Sequence, residues 1–559
     1  MKKIFYRVTI DITRAESHRA EVQIEKVGEE LPGVLEFPVW TPGSYLVREY
    51  ARHITRLEPG SKVSKNRWEL PQGTKAVSYE VYGFERTVRT TFIDENYAVL
   101  IGASLIPLLR GPFEVELLVP SHWKGVSSAL PFKSKGKGRF TALVEDDDQW
   151  IDCPIVAWAP GFGGSSKFRL KGIPHNIAWV GMECTRTLKE LEESFAKIAA
   201  TTINLFGGAP FKDYWFLLHF GHKLYGGLEH RNSQLSQFDG STLKKPKEWD
   251  GFLRLIAHEY LHSWNVKSLR PLALGPFDYT KENYTQDIWF AEGLTDYFDD
   301  YLCWKARLID DKSYWKARVK DISSAPDGMP AHFRRSLAES SLDAWIRHYR
   351  PDEDSANTDV SYYSKGALLG WCWDAYLQSK SKGKWTLAKL MKKYWQELGI
   401  DAYEPLSKAK PGYARKDLIA IAEKTTGLAH KKLLEKWVTD RTTLPWPMAA
   451  KQAKLKIKVT LNDPVAHYCG FQVQWKNGAA VVARVFSESA GEKAEISPND
   501  EIVAINGTRC TDSEKFSTTF DLAKQNGKTI ELLLCRLDKV FTRELVWKKH
   551  PGLGVEYLI

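Results

Sequence analysis

Cysteine is scarce in this chain and is not arranged as a disulfide framework would arrange it. The seven cysteines, at positions 153, 184, 303, 372, 469, 510 and 535, are odd in number and form no Cys-x-x-Cys pair. That argues against a stapled scaffold and leaves the thiols as small core residues in a reducing compartment. Long apolar runs are missing too, since no segment reaches the roughly eighteen residues needed to span a bilayer. The start, Met1-Lys2-Lys3-Ile4-Phe5-Tyr6-Arg7-Val8, is basic, but Asp11 and Arg14 arrive before a signal-peptide core could form. The expectation is a cytoplasmic protein with no membrane partner. Charge of one sign is not in large excess either: 79 basic against 69 acidic residues leave +10. Local clusters such as Lys244-Lys245-Pro246-Lys247 read as solvated loops. A nucleic-acid footprint needs a contiguous basic face with interleaved aromatics, so no nucleic-acid partner is expected.

What is present is ample material for several cores. A chain of 559 residues, 43% hydrophobic and 12% aromatic, exceeds what one core holds and divides into domains. Residues 1–170 read as β-rich. Period-two alternation runs through Phe5–Ile12, Ala20–Ile24, Ala76–Tyr82 and Phe113–Val119, with Leu31-Pro32-Gly33 and Thr41-Pro42-Gly43 as punctuation. Many short strands with turn signals predict a sandwich-like domain. Residues 171–450 change character. A helix around Thr187–Ala200 precedes a strand at Tyr214–Phe220, and helical patterns recur at 364–378, 385–397 and 415–424. Leu444-Pro445-Trp446-Pro447 reads as a helix-breaking boundary, and β alternation restarts near 455. The fold class expected is multidomain α+β, with no internal repeat.

The most informative stretch is His258-Glu259-Tyr260-Leu261-His262, followed by Trp289-Phe290-Ala291-Glu292-Gly293-Leu294-Thr295-Asp296. On a helix, positions four apart share a face, so His258 and His262 aim two imidazoles at one ion. Glu259 lies one residue round, within reach of a water but not placed as a ligand. Catalytic zinc takes three protein ligands and keeps a fourth position open, and Glu292 on a second apolar-patterned segment is the natural third. Asp296, four residues after Glu292, is positioned to accept the second ring N–H of a ligand histidine. Upstream, Tyr225-Gly226-Gly227-Leu228-Glu229-His230 offers glycines that let backbone approach a ligand. Its Glu229 could receive a substrate's α-ammonium; taken alone, the segment also reads as an ordinary turn.

Gly226-Gly227-Leu228-Glu229-His230 resembles the Gly-Ala-Met-Glu-Asn motif of the aminopeptidase N family, whose Glu binds the substrate amino terminus. Tyr362-Tyr363-Ser364-Lys365-Gly366-Ala367 resembles that family's Tyr-Glu-Lys-Gly segment, which implies that Tyr363 stabilises the tetrahedral intermediate. Ser364 in place of Glu and His230 in place of Asn are departures. Trp40-Thr41-Pro42-Gly43-Ser44-Tyr45 with Arg48, added to these motifs and a C-terminal PDZ-like region, resembles the glycyl aminopeptidase family of gluzincins along essentially the whole chain. The resemblance implies an N-terminal β domain (1–170), a thermolysin-like zinc peptidase domain with a helical part (171–450) and a PDZ-like domain (455–559). It also implies removal of N-terminal residues, preferentially Gly or Ala. In the last domain Ile496-Ser497-Pro498-Asn499-Asp500-Glu501-Ile502 with Ile505-Asn506-Gly507 resembles the bacterial PDZ string, Asn499 replacing the usual Gly. Tyr468-Cys469-Gly470-Phe471 falls where the carboxylate-binding loop belongs, so the N–H groups of Cys469, Gly470 and Phe471 are expected to meet a peptide C-terminus.

The chemistry expected is one zinc ion held by His258, His262 and Glu292, with Glu259 as general base and Tyr363 as oxyanion donor. Gly226, Gly227, Glu229 and His230 would bind a peptide with a free N-terminus. A zinc endopeptidase shares everything except the amine-binding role of Glu229, and a non-catalytic PDZ-containing scaffold would need none of it. Another divalent metal in place of zinc also stays open.

Overall fold

The computed structural model describes residues 5–182, 184–324, 326–400 and 412–559. Met1–Ile4, from the basic start noted above, lie outside them. Contacts divide the chain into two compact units. One comprises Met1–Thr285, Phe298–Asp310 and Ala388–Ile421; the other comprises Gln286–Tyr297, Asp311–Leu387 and Ala422–Ile559. Segment 171–450, one domain by sequence, is shared between both, because local patterning reports element type and not the partner an element packs against.

In the first unit, alternating burial gives Tyr6–Asp11, Arg19–Lys26, Ala76–Tyr82 and Phe113–Leu118 one apolar face each. They are the centre of a seven-stranded sheet whose order is Lys133–Gly136, Arg139–Val144, Phe113–Leu118, Tyr6–Asp11, Arg19–Lys26, Ala76–Tyr82, Ile54–Glu58. Only Tyr6–Asp11 and Phe113–Leu118 run parallel within it, with Tyr6 opposite Phe113. A four-stranded sheet contains Gly125–Ser128, Ile155–Trp158, Tyr97–Leu100 and Phe92–Ile93. Val8, Ile10, Val22 and Val115 of the larger sheet share one core with Ala98, Leu100, Ile155 and Ala157 of the smaller. That is the expected sandwich.

Gly163–Leu170, assigned to this domain by sequence, instead joins the next sheet. Its alternating pattern identifies a strand but not the sheet it serves. It pairs antiparallel with Ile173–Gly181, and the five-stranded order continues through Tyr214–Phe220 and Ser233–Phe238 to an edge strand, Tyr225–Glu229. Two helices cover this sheet. Leu188–Phe206 begins at a capping box between Thr187 and Glu190 and ends at Gly207, whose φ of 82° is open to glycine at little cost. Pro246–Leu261 starts with Pro in its first turn. Its Phe252 and Tyr260 face the sheet, Tyr260 stacking on Phe216 with ring centroids 5.6 Å apart. That buried face brings Glu259 and His262 to the sheet's edge strand.

The second unit is mainly helical before its C-terminal β-rich part. The Ser364–Lys380 helix meets the π-turn Trp289–Gly293 at paired glycines: a Cβ on Gly293 would lie 2.5 Å from the Gly366 Cα. Leu444 and Pro445 do break the helical run, which ends at Thr439, but Trp446 and Pro447 already belong to the next helix. Pro447 sits in the first turn of helix Trp446–Gln452, where its missing N–H costs nothing, and that helix packs on Ser364–Lys380.

At the C-terminus, Phe471–Lys476, Ala479–Val485, Glu501–Ile505, Thr529–Arg536 and Lys539–Val546 form one sheet, and helix Ser513–Asn526 buries Phe516 and Phe520 in the same core. Asn499 has φ 69°, a left-handed conformation that Asn tolerates better than most residues, which accounts for its replacing Gly. Asn506 and Gly507, both at positive φ, form the turn between Glu501–Ile505 and Thr508–Arg509. At Cys469-Gly470-Phe471 the chain passes from a short helix into an edge strand. Cys469 ends helix Pro464–Cys469, the Gly470 N–H donates to the Ala466 carbonyl at 3.0 Å, and Phe471 opens the next strand. The segment is a helix C-cap, closed by Gly470 at φ 74°, which uses the Gly470 N–H within the helix. Replacing Asn499 with Ala should cost about 1 kcal/mol through left-handed strain, while Asn499→Gly should be neutral within a few tenths; chemical denaturation of the full chain compares the two.

Candidate active site and metal centre

Glu229, Glu259 and His262 converge, each offering a ligand atom within 4.8 Å of the others. All three are buried, at 3%, 5% and 1% exposure. Glu229 ends the edge strand Tyr225–Glu229, which disposes of the simple-turn reading of that motif. Gly227 sits in the same strand directly beneath the zinc-motif helix. A Cβ there would come within 2.7 Å of the Glu259 Cγ and nearer still to its carboxylate. Glycine at 227 is therefore what lets strand and helix approach closely enough to bring Glu259 to the strand edge.

The helix Pro246–Leu261 stops at His262, its C-cap, which keeps right-handed helical dihedrals and so preserves the four-residue spacing to His258. The two rings lie 4.7 Å apart, centroid to centroid, nearly perpendicular. The Nδ1 of His258 contacts Asp299 Oδ2 at 3.2 Å, and that of His262 contacts the Asn265 carbonyl at 2.7 Å. An ionised carboxylate and a carbonyl only accept, so both Nδ1 atoms donate and the lone pair of each ring is on Nε2. That is the tautomer a metal requires, and the residues present fit a zinc site. A carboxylate that His258 Nδ1 meets is that of Asp299, three residues beyond Asp296 on the helix Leu294–Lys305. Continuing the helical period from Glu292 through Asp296 would have reached it.

Glu229 has charged neighbours that sequence spacing did not reveal. Lys267 Nζ lies 4.0 Å from Glu229 Oε1 and donates to Asp152 Oδ1 at 3.2 Å. Asp152 also accepts the Arg231 backbone N–H at 2.7 Å and faces His230 Nδ1 at 3.4 Å. Burial alone would raise the Asp152 carboxyl, but Lys267, His230 and Arg231 together hold it well below the usual range. The predicted His230 is buried here, and its Nε2 has no hydrogen-bond partner among the described residues. Asp152 and Lys267 lie far from Glu229 in the chain, so only the fold brings them together. Gly226 is at φ 147° with open space around its α-carbon.

In the second unit, Glu292 lies buried in the π-turn Trp289–Gly293, a helical irregularity that often marks functional sites. Tyr363 is the N-cap of Ser364–Lys380 and stays partly exposed, whereas Tyr362 beside it is fully buried. The core-packing role thus belongs to Tyr362. Burial pushes the Tyr363 hydroxyl far above its ordinary pKa, reinforced by the Glu292 charge, so it is a proton-bearing donor at neutral pH. Tyr349 hydrogen-bonds to it, and His348 lies over its ring with centroids 5.4 Å apart. Burial lowers the His348 pKa despite the nearby Glu292 charge. Neither His348 nor Tyr349 stood out in the sequence. If Asp299 orients a metal-binding His258, Asp299→Ala should weaken zinc affinity by about 10–100-fold, measured by competition with a chromophoric chelator.

Two family models match the chain: the M61 glycyl aminopeptidase over residues 251–369 and the M61 N-terminal domain over residues 7–158. Among curated proteins nothing matches. A crystal structure described as an aminopeptidase N family protein from Idiomarina loihiensis is 28% identical and superposes with a TM-score of 0.86, over 99% of this chain and 98% of that one. An M1 zinc metallopeptidase from Deinococcus radiodurans, in a variant bound to a Tyr-Ser-Ala substrate, is 13% identical with a TM-score of 0.49, over 79% of this chain and 94% of that one. The matched segments are the β sandwich and the stretch that carries His258, Glu259, His262, Glu292 and Tyr363, and these matches, with the Idiomarina structure alongside them, support a zinc metallopeptidase similar to the M61 glycyl aminopeptidases.

Proposed function

We propose that the protein is a zinc-dependent aminopeptidase that hydrolyses the first peptide bond of peptides with a free N-terminus, favouring small first residues such as Gly or Ala. The observation that carries this reading is the buried Glu229 at the end of an edge strand, beside Glu259 and His262. An edge strand accepts an extended peptide by backbone pairing, and a carboxylate at its end is suited to meet the α-ammonium.

His258, His262 and Glu292 are the ligands of the single zinc ion in this reading. Two facts support it: the Nδ1-protonated tautomers of both histidines, and the continuity of the π-turn Trp289–Gly293 with helix Leu294–Lys305. Glu292 and Asp299, the partner of His258, thereby belong to one helical run. Bound zinc supplies Lewis-acid polarisation of the scissile carbonyl and lowers the pKa of a water. Glu259 takes the proton of the attacking water and delivers it to the leaving amine. Tyr363 donates its hydroxyl proton in a hydrogen bond to the carbonyl oxygen as negative charge develops there. Glu229 pairs with the α-ammonium and sets the register of the first peptide bond, supplying positioning and not bond-making. Gly226 and Gly227 keep the strand edge clear, and His230 is a further polar group at its end. The endopeptidase alternative assigns Glu229 no role, which sits poorly with a carboxylate buried at this cost.

Two experiments test the reading. Wild-type protein should cut free-amine peptides far faster than their N-acetylated counterparts, and Glu229→Ala should lose most activity on the free peptides alone. Equal cleavage of both forms by wild type would make the protein an endopeptidase. Gly227→Ala should push the Glu259 carboxylate aside, lowering kcat by about a hundredfold while zinc content and thermal unfolding stay near wild type. Normal turnover in that variant would remove Glu259 from the general-base role.

A further inference from the structure

The Trp40-Thr41-Pro42-Gly43-Ser44-Tyr45 string belongs to the β sandwich, yet it reaches the amine site. Gly43 has φ 85°, and a Cβ built on it would stand 2.7 Å from both Cδ and Oε1 of Glu229, and closer to Oε2. Backbone is therefore packed directly on the carboxylate. The loop itself is fixed. Trp40 Nε1 donates to the Asp278 carbonyl at 2.8 Å, and the Val39 N–H donates to that of Tyr279 at 2.8 Å. Arg48 donates to Ser44 Oγ from Nε and Nη2, at 3.0 and 2.7 Å. Thr41 and Ser44 are buried, while Gly43 keeps partial exposure. Lys267, tied to Asp152, supplies a positive charge 4.0 Å from Oε1.

We propose that Gly43 is a specificity-determining positioning residue: its bare α-carbon lets the N-terminal β domain hold the Glu229 carboxylate in the one position that registers a free α-ammonium. This deepens the aminopeptidase reading and rests on it. The discrimination between free and blocked N-termini then depends on a loop of another domain as well as on Glu229.

The test uses the full-length, zinc-loaded protein and one peptide in free and N-acetylated forms. Gly43→Ala introduces both a clash and left-handed strain, so Gly73→Ala is the control. Gly73 has φ 84°, and a Cβ there would meet nothing within 4 Å, so the substitution imposes strain alone. Gly43→Ala should lower kcat/KM on the free peptide by about a hundredfold, the scale of a 1 Å misplacement, and leave the N-acetylated rate unchanged. Gly73→Ala should match wild type on both. Glu229→Asp draws the carboxylate back by one methylene and makes room for a methyl. The double variant Gly43→Ala/Glu229→Asp should therefore be no worse than Glu229→Asp alone, a coupling that distant sites lack. If Gly43→Ala does not fold, folding restored by Glu229→Asp supports the contact; a double variant that also fails, beside a folded Gly73→Ala, overturns it. Gly43→Ala kinetics equal to those of Gly73→Ala, or losses that simply multiply in the double variant, overturn this inference alone. A wild type indifferent to acetylation overturns the amine-site reading itself, and this inference with it.

Discussion

Glu229, Glu259 and His262 crowd within 4.8 Å of one another with almost no access to water. Removing a carboxylate from water costs several kcal/mol unless opposite charge and hydrogen bonds replace the solvent. Much of the surrounding structure answers that demand. Lys267 stands beside Glu229 and is itself tied to Asp152, which in turn draws on Arg231 and His230. His258 and His262 each commit Nδ1 to a fixed acceptor, which leaves Nε2 basic and the rings unable to turn. A divalent cation among such groups would add positive charge to theirs. Zinc binding and anion burial are two sides of one electrostatic arrangement.

Crowding of this kind is possible only where backbone gives way. Gly227 and Gly43 approach carboxylates closely enough to leave no room for a methyl group, and Gly293 and Gly366 do the same for two helical segments. These glycines serve contact, not flexibility. Gly43 alone of the four adds a positive φ, so it answers two constraints at once. The consequence is a site whose side chains have little freedom to relax, the condition under which fixed charges act on a reacting group without reorganising.

Elements with a strong local period were legible in the sequence. Tyr6–Asp11, Ala76–Tyr82 and Tyr214–Phe220 are strands where alternation or apolar runs predicted them, and Thr187 caps its helix where the pattern begins. Membership was not legible. Gly163–Leu170 carries the same alternation whichever sheet it joins, and the choice was made by pairing with Ile173–Gly181. Pro447 reads as a breaker until its position in a first turn is known. Gly470 shows what a motif leaves unsaid: the short Gly-Phe string does not reveal that its glycine also closes a helix. At the site, spacing singled out His258, Glu259, His262 and Glu292, and the resemblance singled out Glu229 and Tyr363. Asp152, Lys267 and Asp299 were missed because nothing in the linear order separates them from surface charges.

The resemblance string around Gly43 carries a different lesson. Within its own domain it is a tight loop on a sandwich, with no cluster of catalytic residue types to draw attention. Its chemistry is visible only from Glu229, whose carboxylate has a backbone wall on one side and the Lys267–Asp152 pair nearby. A β domain in this position does more than add buried surface. It packs backbone on the Glu229 carboxylate, the charge that the proposed exopeptidase reading needs in addition to the metal chemistry shared with endopeptidases. The β sandwich and the zinc helix therefore answer to one functional constraint, although the residues that meet it lie almost two hundred positions apart in the sequence.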